Sequence, residues 1–260
     1  MNIYVCIKST PTSDSISFDA EGNMRRSDSS MQINPFDLVA VESALRLKEK
    51  YGGKVTAVSM GPRSAEGALR TAIAMGADSA VLLSDAAFAG ADVPATARTL
   101  AAFFNSLQNK DLYDIIICGN YSSDGDTGQT GAMLAECIRQ GIPHAASICS
   151  EITIEDGKMR AMQRLEGIER EIRLNLPALA IMENDAFYPR DITLRGTLAA
   201  KRALINTIDN NTLHIDPECC GIKGSACRVI KIFGTRRKRQ GKIIKADEMG
   251  KVLVKRGLGV

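Results

Sequence analysis

Along the first 140 residues, short apolar runs alternate with stretches whose apolar residues recur every three or four positions. Parallel sheets built from β-α-β units leave this pattern, because their strands are covered on both faces and their crossover helices are amphipathic. Ile3 to Ile7 predicts a first strand. Residues 34–50 predict a helix with Asn34 as N-cap, Pro35 at the first helical position and Asp37 in the first turn. Leu38, Val41, Ala44 and Leu45 form its apolar stripe, and Gly52-Gly53 ends it. Lys54 to Met60 predicts a second strand. Gly61-Pro62-Arg63-Ser64 then turns into a helix that reaches Met75 and is closed by Gly76. A third strand at 80–83 and a third helix at 92–107, opened by Asp92 and Pro94, come next. Ile115-Ile116-Ile117-Cys118 has no polar interruption and suits a central strand. A glycine-rich turn leads from it into a helix predicted to end near Gln140.

After residue 145 the period changes. Residues 147–154, 158–165 and 168–175 predict a meander around the turn Glu155-Asp156-Gly157. Leu176 to Ile181 predicts a strand returning to the main sheet. A polar loop at 182–195 and a short helix to Lys201 follow. The expected fold is therefore α/β: a parallel-sheet, Rossmann-like domain over residues 1–205, with helices on both faces. Beyond 205 the apolar residues are scattered, so 206–260 is expected to be a C-terminal arm with little core of its own. No internal repeat of solenoid length is present.

Composition narrows the function. The chain has 260 residues, 45% hydrophobic and 24% charged, which excludes a disordered chain or a disulfide scaffold. Aromatics are 5% with no Trp, which argues against a stacking platform for single-stranded nucleic acid. Thirty-three basic and 30 acidic residues leave +3, too little to call for a polyanion partner. The run Arg236 to Arg239 reads as a solvated tail or a partner contact. No apolar stretch approaches the roughly 18 residues that cross a bilayer. The first residues read as a strand and not as a signal peptide, so a cytoplasmic location is expected.

Seven cysteines form an odd set, with one cluster at Cys219-Cys220 and Cys227 and no C-x-x-C pair. No metal site is expected. The only histidines, His144 and His214, stand far from any candidate nucleophile, which argues against a hydrolase. Asp37 and Asp126 have no paired acid or histidine, so cap and turn roles are expected for them.

Parallel α/β sheets bind ligands beyond the carboxyl ends of their strands. Three segments are predicted there: Cys6-Ile7-Lys8, Ser59-Met60-Gly61-Pro62 and Gly119 to Gly131. The last combines glycines at 125, 128 and 131 with Thr127 and Thr130 before a helix start. Free N–H groups and the helix dipole at such a start suit a phosphate, and the glycines would permit close backbone approach. Substitution of Gly128 or Gly131 by Val is accordingly expected to abolish nucleotide binding and spare the sheet. The chain contains neither a G-x-x-x-x-G-K-[ST] loop nor a G-x-G-x-x-G turn after the first strand. On spacing alone, a phosphate cradle and a tight polar turn fit equally well.

Further motifs stand in register. Asn34-Pro35-Phe36-Asp37 with Ala40-Val41-Glu42, Val58 to Pro62, Ala74 to Asp78, and Asp124 to Gly131 follow in order. Leu176 to Leu179, Tyr188-Pro189-Arg190, Thr193-Leu194 and Ala199-Ala200-Lys201 continue the series. Together they resemble the small (beta) subunit of an electron-transfer flavoprotein, over roughly residues 1–205. The resemblance implies a heterodimer with a large (alpha) subunit that carries a flavin, and a nucleotide on this subunit. It implies nucleotide contacts at Cys6, Asn34, Pro35, Phe36, Asp37, Met60, Asp126, Thr127, Gly128, Gln129, Thr130 and Gly131. The family has one branch with structural AMP and one NADH-using, electron-bifurcating branch with a second FAD. Asp124 to Gln129 and Phe88 to Asp92 resemble the second branch, which adds Asp92 and Thr96 as flavin contacts. Val93-Pro94 departs from that branch's pattern.

The implied activity is acceptance of hydride from NADH by an FAD held here. Electrons would then pass to the large subunit's flavin and an acyl-CoA dehydrogenase-type partner, and to ferredoxin. The loop after residue 182 and its helix would dock on the dehydrogenase, and the arm would wrap the large subunit. One alternative is a one-electron carrier with structural AMP. Another is an ATP-binding, stress-protein-like domain, which the bare α/β pattern also fits.

Overall fold

The structure is a computed structural model that describes residues 1–12, 17–18, 24–25, 31–108, 112–139 and 141–227. The chain opens with β1 (Asn2–Cys6), β2 (Ser9–Pro11), β3 (Ser17–Phe18), β4 (Met24–Arg25) and β5 (Met31–Ile33). It continues through α1 (Pro35–Tyr51), β6 (Lys54–Met60), α2 (Glu66–Met75), β7 (Ser79–Leu83), α3 (Val93–Ser106) and β8 (Ile115–Gly119). After α4 (Thr130–Cys137) come the meander strands β9 (His144–Glu155), β10 (Lys158–Leu165) and β11 (Ile168–Asn175). The described chain closes with β12 (Ala178–Met182), α5 (Leu194–Arg202), β13 (Ile205–Ile208) and α6 (Asn210–Leu213).

One nine-stranded sheet has the order β11-β10-β9-β12-β8-β1-β6-β7-β13. The segment from β12 to β13 is parallel throughout, and β9 to β11 form the antiparallel flank. Alternate residues of each strand feed two cores. On one face, Ile3, Val5, Ile115 and Ile117 pack with Val41 and Leu45 of α1 and Leu69 of α2. On the other, Tyr4, Ile116 and Leu179 meet Leu100, Phe103 and Phe104 of α3 and Leu134 of α4. Tyr4 meets the rings of Phe103 and Phe104 edge-on, at centroid distances of 6.2 and 5.5 Å. This is the doubly wound architecture expected from the sequence.

Chain order fixes where a ligand belongs. From β1 the chain passes through α1 to β6 and through α2 to β7. Then α3 carries it back to β8, on the opposite side of β1. The order reverses between β1 and β8, so their carboxyl ends flank a crevice of the kind such sheets use for ligands.

Two boundaries differ from the sequence reading. Helix α4 ends at Cys137, because Ile138 turns to extended backbone and, with Ile142, is buried in the second core. The boundary at 205 falls at the first residue of β13, which pairs in parallel with β7. The following residues are tied down: Arg98 donates to the carbonyls of Cys219 and Gly224, and Asp85 accepts from the Asn210 N–H at 2.9 Å. Residues 228–260, including the basic run at 236–239, lie outside the described residues. Among those described, no helix is long and apolar enough to cross a membrane.

Candidate functional site

Lys8 leaves β1 at the crevice and is fixed twice. Its backbone N–H donates to Asp37 Oδ2 at 2.7 Å, and its Nζ to Asp124 Oδ1 at 2.6 Å. Asn34 occupies the N-cap position of α1 as expected, but its side chain does not cap the helix. Instead Asn34 Nδ2 donates to the Tyr121 carbonyl at 2.7 Å, and Oδ1 accepts from the Ser123 N–H at 3.2 Å. The start of α1 and the 120–131 segment are thereby bolted across the switch point. The Phe36 and Tyr121 rings meet edge-on beside this link, with centroids 6.4 Å apart.

Asp37 is buried at the foot of the same segment, against Gly119, where a Cβ would collide with the carboxylate and the Phe36 carbonyl. Glycine is required there by close approach. Burial raises the Asp37 carboxyl to about 7, against the opposing hydrogen bonds from Lys8 and Asn34 and the Lys8 charge. Asp124 behaves differently. Burial pushes it up, but the Lys8 hydrogen bond and charge outweigh this and hold it below the ordinary range. The role of Asp37 is therefore more than that of a first-turn residue.

The second face of the sheet supplies a floor and walls. Cys6 and Met60, at the ends of β1 and β6, are only partly buried and pack at the margin of the second core. Helices α3 and α4 cover this face, and both begin at the carboxyl edge of the sheet. Their starts are not equivalent. Asp92 caps α3 by accepting from the Ala95 N–H at 3.0 Å, as Thr193 and Asp209 cap α5 and α6. Among the described residues no side chain caps α1, α2 or α4, and of these α1 and α4 flank the switch point. The first-turn N–H groups of α4 are left for a ligand or solvent, beside the exposed Thr127 and partly exposed Thr130 hydroxyls. This donor set fits a phosphate-bearing nucleotide.

Contacts join Asn34, Phe36 and Asp37 to the 119–123 segment, and Gly131 lies against Cys118 and Ile181. Cys6 and Met60 stand at the neighbouring strand ends, and Asp126, Thr127 and Gln129 are exposed. Asp92 and Thr96 open α3 at the same edge, but Asp92 is already engaged. Its second oxygen accepts from the Cys227 N–H at 3.0 Å. Burial raises its pKa, but bonds from the N–H groups of Ala95, Cys227 and Ala226 outweigh that and hold it low. The glycines also divide by role. Gly128 takes φ 65° facing the Tyr121 ring, whereas a Cβ on Gly131 would lie 2.9 Å from Ile181 and 3.3 Å from Cys118. Gly131 lets α4 pack on the sheet, so the expectation that its Val variant spares the fold does not hold. The sequence places Lys8 and Asp124 in candidate ligand segments but does not reveal that they pair. The signal was a lysine directly after a strand end.

A second polar cluster was also missed. Glu42, buried within α1, accepts from Arg46 Nε at 2.8 Å and from Arg190 Nε at 2.8 Å. Arg190 also reaches Glu49 at 2.6 Å, and the Arg46 guanidinium stands 4.3 Å from the Phe187 ring centre. These contacts pin the 183–193 loop to α1. Beyond them the loop and α5 present Tyr188 and Leu194 to solvent, 95% and 78% exposed.

Comparison with known proteins decides the family. The electron transfer flavoprotein domain matches residues 22–213. The chain belongs to the electron transfer flavoprotein family. It is 38% identical over 247 residues to an electron transfer flavoprotein subunit beta of Thermoanaerobacterium thermosaccharolyticum, covering 94% of this chain and 92% of that protein. It is 34% identical to the acryloyl-CoA reductase electron transfer subunit gamma of Anaerotignum propionicum, covering 97% and 95%. Likewise it is 33% identical to the caffeyl-CoA reductase-Etf complex subunit CarD of Acetobacterium woodii, covering 97% and 95%. The ATP-binding stress-protein alternative is set aside by this membership.

Proposed function

We propose that this electron transfer flavoprotein beta subunit binds FAD at the switch point and serves an NADH-dependent, electron-bifurcating complex. The observation that carries the reading is the paired helix starts at α1 and α4, which lack side-chain caps and flank a crevice floored by Cys6 and Met60. Thr127, Gly128, Gln129, Thr130 and the first N–H groups of α4 would hold the pyrophosphate. Asn34 and Lys8 would keep the facing segment in place, and Asp126 would set the turn with its φ of 48°. A flavin bound there supplies hydride acceptance from NADH and electron delivery both to the large subunit's flavin and to ferredoxin. The protein's contribution is binding, orientation and exclusion of water.

Relatives named for acryloyl-CoA and caffeyl-CoA reductases support an acyl-CoA dehydrogenase-type partner. The exposed Tyr188 and Leu194, on a loop held by Arg190, form a surface suited to that partner.

A second reading, AMP in a structural role with one-electron transfer, draws on Asp92. Both of its oxygens are committed within the chain, which leaves α3 no free carboxylate for a flavin. Acid extraction of the complex co-purified with the large subunit separates the two. One FAD from each subunit and no AMP is the expected result; AMP with only the large subunit's FAD would select the second reading.

A further inference from the structure

Cys6 and Cys118 are register partners on the adjacent parallel strands β1 and β8. Their neighbours Tyr4 and Ile116 belong to the second core, as does Cys118, so both thiols project to that face. Neither thiol is in a disulfide, and the neighbouring Cys6 side chain is the first of the influences that hold the proton on Cys118. Cys118 is buried; Cys6 is partly exposed at the crevice. Neighbouring strands lie about 4.8 Å apart, inside the Cα separation of roughly 4.4–6.8 Å that a disulfide spans. The usual Cβ separation of a disulfide, about 3.5–4.5 Å, is shorter, so a bond here would draw the strands together and be readily reduced.

We propose that Cys6 and Cys118 form a reversible dithiol–disulfide pair beneath the nucleotide crevice, oxidised by low-molecular-weight disulfides. The Cys6 thiolate attacks one sulfur of the small disulfide and expels one thiol, leaving a mixed disulfide on Cys6. That step takes away the Cys6 thiol, whose side chain is the largest of the influences that keep the proton on Cys118, ahead of burial and the Asp37 charge. Cys118 then gives up its proton and attacks the Cys6 sulfur, expelling the second small thiol. Two protein thiols are oxidised by two electrons, and one small disulfide is reduced to two thiols. The consequence reaches the site through Gly131, whose position lies against Cys118 and leaves α4 no slack. Drawing β1 and β8 together shifts the floor on which the start of α4 rests. Access to Cys6 through the crevice rests on the nucleotide reading above; the thiol chemistry does not.

The test uses the full-length chain in complex with its large subunit, stripped of nucleotide, treated with oxidised glutathione and mapped by peptide mass spectrometry. The expected product is a Cys6–Cys118 cross-linked peptide, two hydrogen masses lighter than its parts and restored by dithiothreitol. In Cys118→Ser a glutathione adduct is expected to persist on Cys6, whereas wild type holds it only transiently. A persistent Cys6 adduct in wild type, or neither adduct nor cross-link while exposed Cys219 reacts, would overturn the proposal. FAD or AMP at ten times its Kd is expected to slow Cys6 modification about tenfold, in proportion to occupancy. A cross-link that forms with no such protection would uphold the dithiol and count against the nucleotide site.

Discussion

A carboxylate in the first turn of a helix ordinarily stays charged, favoured by the dipole and the free N–H groups. Asp37 departs from that because burial outweighs its hydrogen bonds and lifts the carboxyl from 3.8 to about 7. The folded state therefore binds this proton more tightly than the unfolded chain does. Its stabilising contribution is complete below pH 3.8 and is lost as pH rises through 7. Asp37→Asn, which cannot ionise, is expected to gain stability over wild type as pH rises from 4 to 8, by up to roughly 4 kcal/mol. Denaturant unfolding at both ends of that range checks it; a pH-independent difference would remove Asp37 as the titrating group. At Gly131 the expected outcome is structural. Gly131→Val should cost about 1–3 kcal/mol by overpacking against Ile181 and Cys118, so its melting point must fall even without nucleotide. At this scale the sequence revealed identities better than partners. Asn34 was legible as a helix-start residue, but its hydrogen bonds run to Tyr121 and Ser123, 87 and 89 positions away.

Elements were legible wherever burial on both faces enforced an unbroken apolar run, as at Ile115 to Cys118. They were less so at the sheet margin. Ile205-Asn206-Thr207-Ile208 is a short edge strand with exposed middle residues, and nothing in four such positions distinguishes it from a loop. The docking role of the 182–195 loop comes from the family resemblance, but its attachment to α1 is not legible, because its anchor, Glu42, sits inside the apolar stripe of another element. Burial raises the pKa of Glu42, but bonds from Arg190 and Arg46 outweigh it and hold the carboxyl below the ordinary range. Its contribution is present above pH 4.5 and is lost on acidification. Removing one partner of a buried pair leaves an uncompensated charge, typically at 3–5 kcal/mol; Arg46 remains here, so about 2–3 kcal/mol is expected for Arg190→Leu. The melting temperature should fall and limited proteolysis should open the loop first. A cut elsewhere, with the loop intact, would show that Arg190 is not its anchor.

For the whole molecule, the question is where this subunit's own fold stops and its dependence on a partner starts. Residues 209–227 belong to the fold: Asp85, Asp92 and Arg98 hold them on α3 and the loop before it. The following sequence still carries Val229, Ile230, Ile232, Phe233, Ile243, Ile244, Val252, Leu253 and Val254. Leaving such a set in water costs about 25 cal/mol for each Å² of apolar surface, and a large partner interface removes that cost. We therefore propose that the segment beyond 227 packs on the large subunit, and two truncations test it. Ending the chain after Ile208 removes hydrogen bonds to three charged side chains, each worth about 1.5–3 kcal/mol, and should lower the melting temperature by roughly 10 °C or more. Ending it after Cys227 keeps those bonds, so the isolated chain should melt where the full chain does, or resist aggregation better, yet fail to hold the large subunit. If the 1–227 chain melts well below full length, the segment stabilises this subunit directly. If it still co-purifies with the large subunit in full yield, the interface lies elsewhere on the fold.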